Sequence, residues 1–506
     1  LIGRRSLIIL VAKLIASGLG FIGLFFITRY IGADAYGSVA WTMSLLATFF
    51  ALSDLGFGSA HIKRLNEKLD VNDCVSTYAA IKLALTAMTV AVTAVSIFVW
   101  EFLLGGSITL QTANLIVLFL LYQVFYNMAS IAIITYTGTL ETFKSQLISL
   151  ADPFIRVPLV IFVAFASPSA MTLAFTYVLA ALGVVTMALL FLRRDRYRWR
   201  RPTLYKSYLH FAAPLILVTV IGTVTAYMAT VLIGFFGAKS DVAFFTSSQV
   251  LLSMVGLVAG AVATLTYPSF SKLHTDGDMH EIRNLTFQAE RYLAMFSFPV
   301  IAVMIIFATP VASILLGTGF GPAGEALQFL AVGTLLGILN QVHSSQVLAV
   351  NRPDMSAKLT ILSFMVFIPL LLILIPDSLF GVQLFGLSYV GAAIASLITS
   401  IVNFIALRWV VYRLTGTGYN PRLTIQIAAL MVTMGVLILL NEFHGMSGFL
   451  WLLLFSGASL AVFFGILVVF KEVTRKDLDY FLEVLNIRKM LSYIKEEVSN
   501  EEKGKI

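Results

Sequence analysis

Five ionisable side chains stand inside long apolar stretches of this 506-residue sequence: Lys13, Asp54, Lys82, Asp152 and Arg156. A charge at the centre of a membrane-spanning helix costs roughly 2.5–3.5 kcal/mol on insertion scales, so such groups face a protein interior, pair with one another or meet a ligand. Arg156 carries the most specific chemistry, because a guanidinium presents a planar fork of donors suited to bidentate contact with a phosphate. Asp152 precedes it by one helical turn, and an (i, i+4) pair lowers the cost of burying both charges. Ligand contact and a purely structural pair are both compatible with that spacing. Lys13, Asp54 and Lys82 lie at similar depths from the cytoplasmic ends of the first three apolar runs. This predicts one charged layer, with Lys13 paired to Asp54 and Lys82 left as excess positive charge. The alternative has both lysines reaching to the headgroups, with Asp54 ending a helix before Leu55-Gly56-Phe57-Gly58.

Other candidates carry weaker chemistry. Arg29, at the outer end of the first run, is either an interfacial anchor or a cation at the outer mouth of a cleft. The second half offers no charged midspan residue, only the polar Asn340, Gln341, His343, Gln346 and Asn403. These fit hydrogen bonds between helices, or a set that binds sugar hydroxyls opposite a cationic first half. The six histidines are scattered without HExxH or CxxC spacing, and Cys74 is the single cysteine. No metal site, cofactor or intrachain disulfide is therefore expected.

The elements that must hold these groups follow from composition. The chain is 59% hydrophobic and 12% charged, with a mean hydropathy of +0.93. A soluble domain has about a quarter of its residues charged, so a soluble enzyme, a disordered chain and a nucleic-acid binder are excluded. A bilayer core needs about 20 apolar helical residues. Apolar runs predict an all-α membrane protein with fourteen spans, at 7–28, 37–60, 75–100, 110–134, 146–166, 170–192, 208–236, 242–268, 291–316, 325–349, 356–375, 388–411, 423–441 and 448–470. Pro153 and Pro158 interrupt the fifth, and the fourth has room for a bent end near Tyr136.

With both termini cytoplasmic, every lysine and arginine except Lys13, Arg29, Lys82, Arg156 and Lys239 falls on the cytoplasmic side, as the positive-inside rule demands. Trp41, Trp100, Trp409 and Trp451 mark span ends, and the first run lacks a convincing cleavage site, so it reads as a retained span in the cell membrane. The basic run Arg193–Arg201 divides six spans from six and is suited to anionic lipid headgroups rather than nucleic acid. Gly32-Ala33-Asp34-Ala35-Tyr36-Gly37 has a counterpart in Gly237-Ala238-Lys239-Ser240-Asp241, which predicts a parallel repeat with its pseudo-two-fold axis along the membrane normal. The expected organisation is a first lobe at 1–192, a basic linker at 193–207, a second lobe at 208–413, two added spans at 414–471 and an amphipathic cytoplasmic tail at 472–506. The tail is suited to a membrane surface or to a partner protein.

Thr28-Arg29-Tyr30-Ile31-Gly32-Ala33-Asp34-Ala35-Tyr36-Gly37, then Ser53-Asp54-Leu55-Gly56-Phe57-Gly58, resembles the N-terminal signature of polysaccharide biosynthesis membrane proteins, and Val350-Asn351-Arg352-Pro353 resembles a short loop of the same family. These are Wzx-type oligosaccharide flippases of the multidrug/oligosaccharidyl-lipid/polysaccharide exporter superfamily. The resemblance implies a fourteen-helix, two-lobed fold that moves a prenyl-linked oligosaccharide to the outer leaflet by alternating access, alongside glycan-assembly proteins. It also implies cavity cations, a role open to Lys13, Lys82 and Arg156; a second half without a midspan cation departs from some members. A cation-coupled multidrug exporter and a lipid II flippase are the nearest alternatives. A membrane glycosyltransferase or polymerase would need a catalytic constellation beside a larger outer loop than this chain offers.

Overall fold

The computed structural model describes residues 2–67, 69–103, 108–444 and 448–473. The amphipathic tail expected at 472–506 lies, from residue 474 onward, outside the described residues. The first half comprises α1 (Ile2–Phe26), α2 (Ala33–Phe50), α3 (Phe57–Asn66), α4 (Val71–Phe98), α5 (Leu110–Gly138), α6 (Thr142–Ala166) and α7 (Ala170–Arg194). The chain continues through α8 (Tyr205–Phe236), α9 (Lys239–Thr275), α10 (Met279–Ile306), α11 (Ala308–Leu316), α12 (Ala323–Ala349) and α13 (Pro353–Leu374). A two-stranded antiparallel hairpin, β1 (Ser378–Leu379) and β2 (Val382–Gln383), precedes α14 (Ser388–Thr415), α15 (Pro421–His444) and α16 (Phe449–Val469). Among the described residues, fourteen segments are long and apolar enough to cross a membrane, one for each predicted span.

Local chemistry sets the helix ends. Asp70 caps α4 by accepting from the Asn72 and Asp73 N–H groups, and Ser169 with Thr172 forms a capping box on α7. Pro153 and Pro158 sit inside α6 without ending it, and α5 stays helical through Tyr136. Neighbouring helices make such prolines tolerable in lipid. After α2 a 3₁₀ turn at Ala51–Ser53 leads to Leu55 at φ 46° and Gly56 at φ 83°, which redirect the chain into α3. Gly56 suits that left-handed conformation, and a side chain there would also meet Leu215 Cβ at 2.9 Å.

The ninth span begins earlier than expected. The charges Glu281, Arg283, Glu290 and Arg291 read as loop in the sequence, yet all lie in α10, which ends at Ile306 before the separate α11.

The chain forms two compact units. The amino-terminal unit holds Val11–Thr246 and Leu371–Tyr389; the carboxy-terminal unit holds Ser247–Leu370 and the described residues from Val390 onward, with the first turns of α1. In the amino-terminal unit, Ala129, Ala132, Tyr136, Ile148, Val184 and Ala188 pack α5, α6 and α7 together. The two repeat-like segments meet there: a Cβ on Gly37 would lie 1.7 Å from the Lys239 carbonyl oxygen. Trp41 Nε1 donates to the Val231 carbonyl at 3.1 Å, while Lys239 Nζ stands 3.4 Å above the indole and donates to the Gly234 carbonyl.

The basic linker is docked onto the start of α4. Arg198 and Arg200 backbone N–H groups donate to Asn72 Oδ1 and Ser76 Oγ, and Arg200 Nη1 reaches Asp70 and Asp73. In the carboxy-terminal unit, Ala294, Met295 and Phe298 of α10 pack with Leu339, Leu423, Ala429, Phe463 and Leu467, joining α12, α15 and α16.

Candidate functional site

Within the amino-terminal unit, α6 carries Asp152 and Arg156 one turn apart, and the side chains meet. Arg156 Nε and Nη2 donate to the same Asp152 oxygen, Oδ2, at 3.1 and 2.9 Å. The other oxygen, Oδ1, is buried without a hydrogen bond, and Arg156 Nη1 makes none among the described residues. The guanidinium lies 4.7 Å from the centroid of Tyr177, whose ring meets Tyr122 edge-on at 5.8 Å, and Tyr122 stacks on Tyr126 at 5.9 Å. A fork held on one edge, beside three tyrosines, can bind an anion through its remaining donor while its charge is steadied by the rings. These tyrosines belong to no motif; Tyr122 and Tyr126 at (i, i+4) are the signal in the sequence that points to them.

Asp54 does not pair with Lys13. Its Oδ1 accepts from Lys82 Nζ at 3.3 Å, and Lys13 is exposed. Similar depth on neighbouring helices leaves the direction of a side chain undetermined, and here the break at Leu55 and Gly56 turns Asp54 toward α4. Gly58 makes room for it, since a Cβ there would sit 3.2 Å from Asp54 Oδ1. The lysine side chain is 5% exposed and the carboxylate 35%, so the acid is the more accessible member of the pair. Arg29 lies in the π-helical turn Ile27–Ile31, its guanidinium 4.4 Å from the Phe25 ring centroid.

A fully buried histidine joins three helices of the same unit. His61 of α3 stacks on Tyr78 at 4.3 Å, with Nδ1 2.8 Å from Tyr208 Oη and Nε2 3.0 Å from Thr135 Oγ1. Both hydroxyls also donate to main-chain carbonyls, Thr135 to Ile131 at 2.7 Å and Tyr208 to Cys74 at 3.2 Å. Each ring nitrogen of His61 thus has a hydroxyl partner, which ties α3 to α5 and α8.

The expectation of an uncharged second half is corrected in the carboxy-terminal unit. Glu290 of α10 is fully buried and gathers donors from three other segments. Arg408 Nη2 of α14 and His343 Nε2 of α12 reach Oε1, the latter at 2.8 Å, and Asn420 Nδ2, just before α15, reaches Oε2 at 3.2 Å. His343 is therefore a structural partner of Glu290, with Nδ1 buried and unpartnered. Asn340, one turn earlier on α12, is buried with its Oδ1 unpartnered, and Gln346 accepts from Thr286 and donates to Thr415 and Thr417. Gln341 is exposed and Asn403 partly buried.

Among the described residues no group of three histidine, cysteine or acidic side chains could hold a metal. What the intramembrane groups can do is replace water around a charged or hydroxylated ligand.

The sequence pattern of the family described as polysaccharide biosynthesis protein matches residues 2–274. A probable low-salt glycan biosynthesis flippase of Haloferax volcanii, Agl15, is 23% identical over 411 residues, covering 79% of this chain and 82% of its own length. Among solved structures, the lipid II flippase MurJ in an inward closed conformation superposes with a TM-score of 0.71 at 14% identity, over 91% of this chain and 98% of its own. An inward-facing multidrug resistance transporter of the MATE family, in the MOP superfamily, gives 0.62 at 17% identity, over 80% and 96%. The fold is thus that of MOP-superfamily transporters.

Proposed function

Because the chain belongs to the polysaccharide biosynthesis protein family, we propose that this multi-pass membrane protein moves a prenyl-(pyro)phosphate-linked oligosaccharide from the cytoplasmic to the outer leaflet by alternating access. It makes and breaks no covalent bond, and it serves the assembly of surface polysaccharide or glycoprotein in the cell membrane. The observation that carries this reading is Arg156, a cation inside a spanning helix with one guanidinium nitrogen uncommitted and the Tyr177 ring against it. A pyrophosphate cannot cross hydrocarbon unaided, because its charge would lose water without replacement. Arg156, with the exposed Lys13, supplies that replacement while the prenyl chain stays in lipid. A site of few contacts also permits release, which a closed cage would prevent.

In this proposal the lobes at 1–192 and 208–413 rock about the substrate, both termini are cytoplasmic, and Asp54, the accessible half of its ion pair, carries a coupling proton. The exposed arginines of the Arg193–Arg201 run, other than the docked Arg200, face anionic headgroups. Glycan-assembly proteins act before and after the transported lipid.

The test is translocation in proteoliposomes, read as the fraction of prenyl-pyrophosphate oligosaccharide reached by an external, membrane-impermeant glycosidase. Protein-dependent exposure is expected, and Arg156→Ala reduces it about tenfold, the equivalent of one charge-assisted contact. No exposure by the wild type, together with efflux of a cationic dye down an ion gradient, would place the protein with the drug exporters instead. Unchanged exposure in Asp54→Asn at every pH would remove the coupling role.

A further inference from the structure

In the carboxy-terminal unit a cavity of about 330 Å³ opens between α9, α12 and α14, at the small end of the range for small-molecule sites. Its polar lining is Gln249, Ser253, Thr334, Ser396 and Ser400, over a floor of Leu252 and Leu330. Ser253 and Ser396 donate to the Val250 and Ala392 carbonyls of their own helices, at 2.7 and 2.8 Å, so each presents only oxygen lone pairs to the cavity. The side chains of Gln249, Thr334 and Ser400 have no hydrogen bond among the described residues, which adds an amide and two hydroxyls able both to donate and to accept.

An uncommitted amide and several hydroxyls facing hydrocarbon would each lose water without recompense, so this concavity faces an aqueous path. No ionisable or aromatic side chain lines it, which deprives a phosphate of a counter-charge and a lipophilic cation of a partner. Alternating hydroxyl donors and acceptors above an apolar floor match the equatorial hydroxyls and the C–H face of a sugar ring.

We infer that this cavity is a binding subsite for an uncharged sugar of the transported glycan, separate from the cationic groups of the amino-terminal unit. The inference rests on the transport proposed above and adds to it the site that reads the glycan. None of these five residues is ionisable, and they are spread over α9, α12 and α14.

Gly256 provides the means of testing it. It lines the cavity, and a Cβ there meets nothing within 4 Å, so Gly256→Leu starts a bulky side chain in open space at the cavity wall. Two probes are compared in proteoliposomes: a prenyl pyrophosphate bearing a neutral tetrasaccharide, followed with the external glycosidase, and the same prenyl pyrophosphate without sugar, followed with an external phosphatase. Gly256→Leu and Gln249→Leu are expected to slow the sugar-bearing lipid about tenfold and leave the bare lipid within about twofold. Equal loss for both lipids, or loss for neither, overturns the subsite.

If the wild type moves neither lipid, the transport proposal fails, and the subsite is decided by saturation-transfer NMR with the free tetrasaccharide on protein in nanodiscs. Contact that Gly256→Leu abolishes upholds the subsite, and absence of contact with the wild type overturns it.

Discussion

In the amino-terminal unit Asp152 and Arg156 neutralise one another within one turn of α6, whereas in the carboxy-terminal unit Glu290 is reached by α12, α14 and the segment before α15. Arg156 keeps 19% of its side-chain surface, and Glu290 keeps none. A pair confined to one helix can change rotamer and offer its guanidinium elsewhere while the helices stay in place. A carboxylate shared among three partners cannot lose one without stranding a charge in a dry interior, so its first effect is to hold α10, α12 and α14 together. Intramembrane charge is therefore not a single signal: its value for binding depends on how many helices its partners occupy.

That contrast can be broken most directly at Glu290. Glu290→Ala strands the Arg408 guanidinium and should lower stability by about 3–5 kcal/mol, read as a large drop in unfolding temperature in detergent; an unshifted temperature would refute the structural role. Replacing the pair together, as Glu290→Leu with Arg408→Met, should recover most of the loss, because no buried charge is left. Lys82→Met is intermediate. It removes a lysine that is nearly buried and leaves the more accessible Asp54 free to take up water, at about 1–2 kcal/mol, and a cost matching that of Glu290→Ala would erase the distinction between the units.

The exchange Asp152→Arg with Arg156→Asp keeps an intrahelical pair but moves the guanidinium by one turn. Stability should change by less than about 1 kcal/mol while transport of the sugar-bearing lipid falls about tenfold; retained transport would make the pair structural.

The smallest effect is expected at the docked linker. The Asn72 backbone N–H and then the Arg200 guanidinium hold the Asp70 carboxyl below its ordinary range. A pKa depressed in the folded chain gives a contribution present above the unfolded value and lost as pH falls through the folded one. Asp70→Ala should therefore raise tryptic cleavage after Arg200 about twofold at neutral pH, as for loss of a single exposed contact, and the difference from wild type, read with pepsin, should vanish in strong acid. Equal cleavage at neutral pH would mean that the linker is held by its backbone contacts alone.

The spans were legible because each must supply about 20 apolar residues regardless of its neighbours. The Asp152–Arg156 contact was legible for the same reason: helical periodicity alone brings the two side chains together. Partners on different helices were not. Lys13 and Lys82 stand at comparable depth, and only the turn at Leu55 and Gly56 decides which one meets Asp54. Glu290 was hidden because a charged first stretch of spanning helix has the composition of a loop, and the hydroxyl-lined cavity because its members are ordinary polar residues spread over three helices.

The seam between α2 and the α8–α9 turn is built largely from backbone. Gly37 lies against the Lys239 carbonyl, and a Cβ on Gly234 would stand 1.9 Å from Trp41 Cδ1. At Gly37 the two backbones meet with no side chain between them, whereas the buried Trp41 indole seats against Gly234, so drawing the surfaces apart uncovers that ring rather than an interdigitated core. Resistance to parting rests mainly on the indole-to-carbonyl bond and the ammonium above the ring, contacts that water can replace one at a time. Such a seam behaves as a zip fastener rather than a weld.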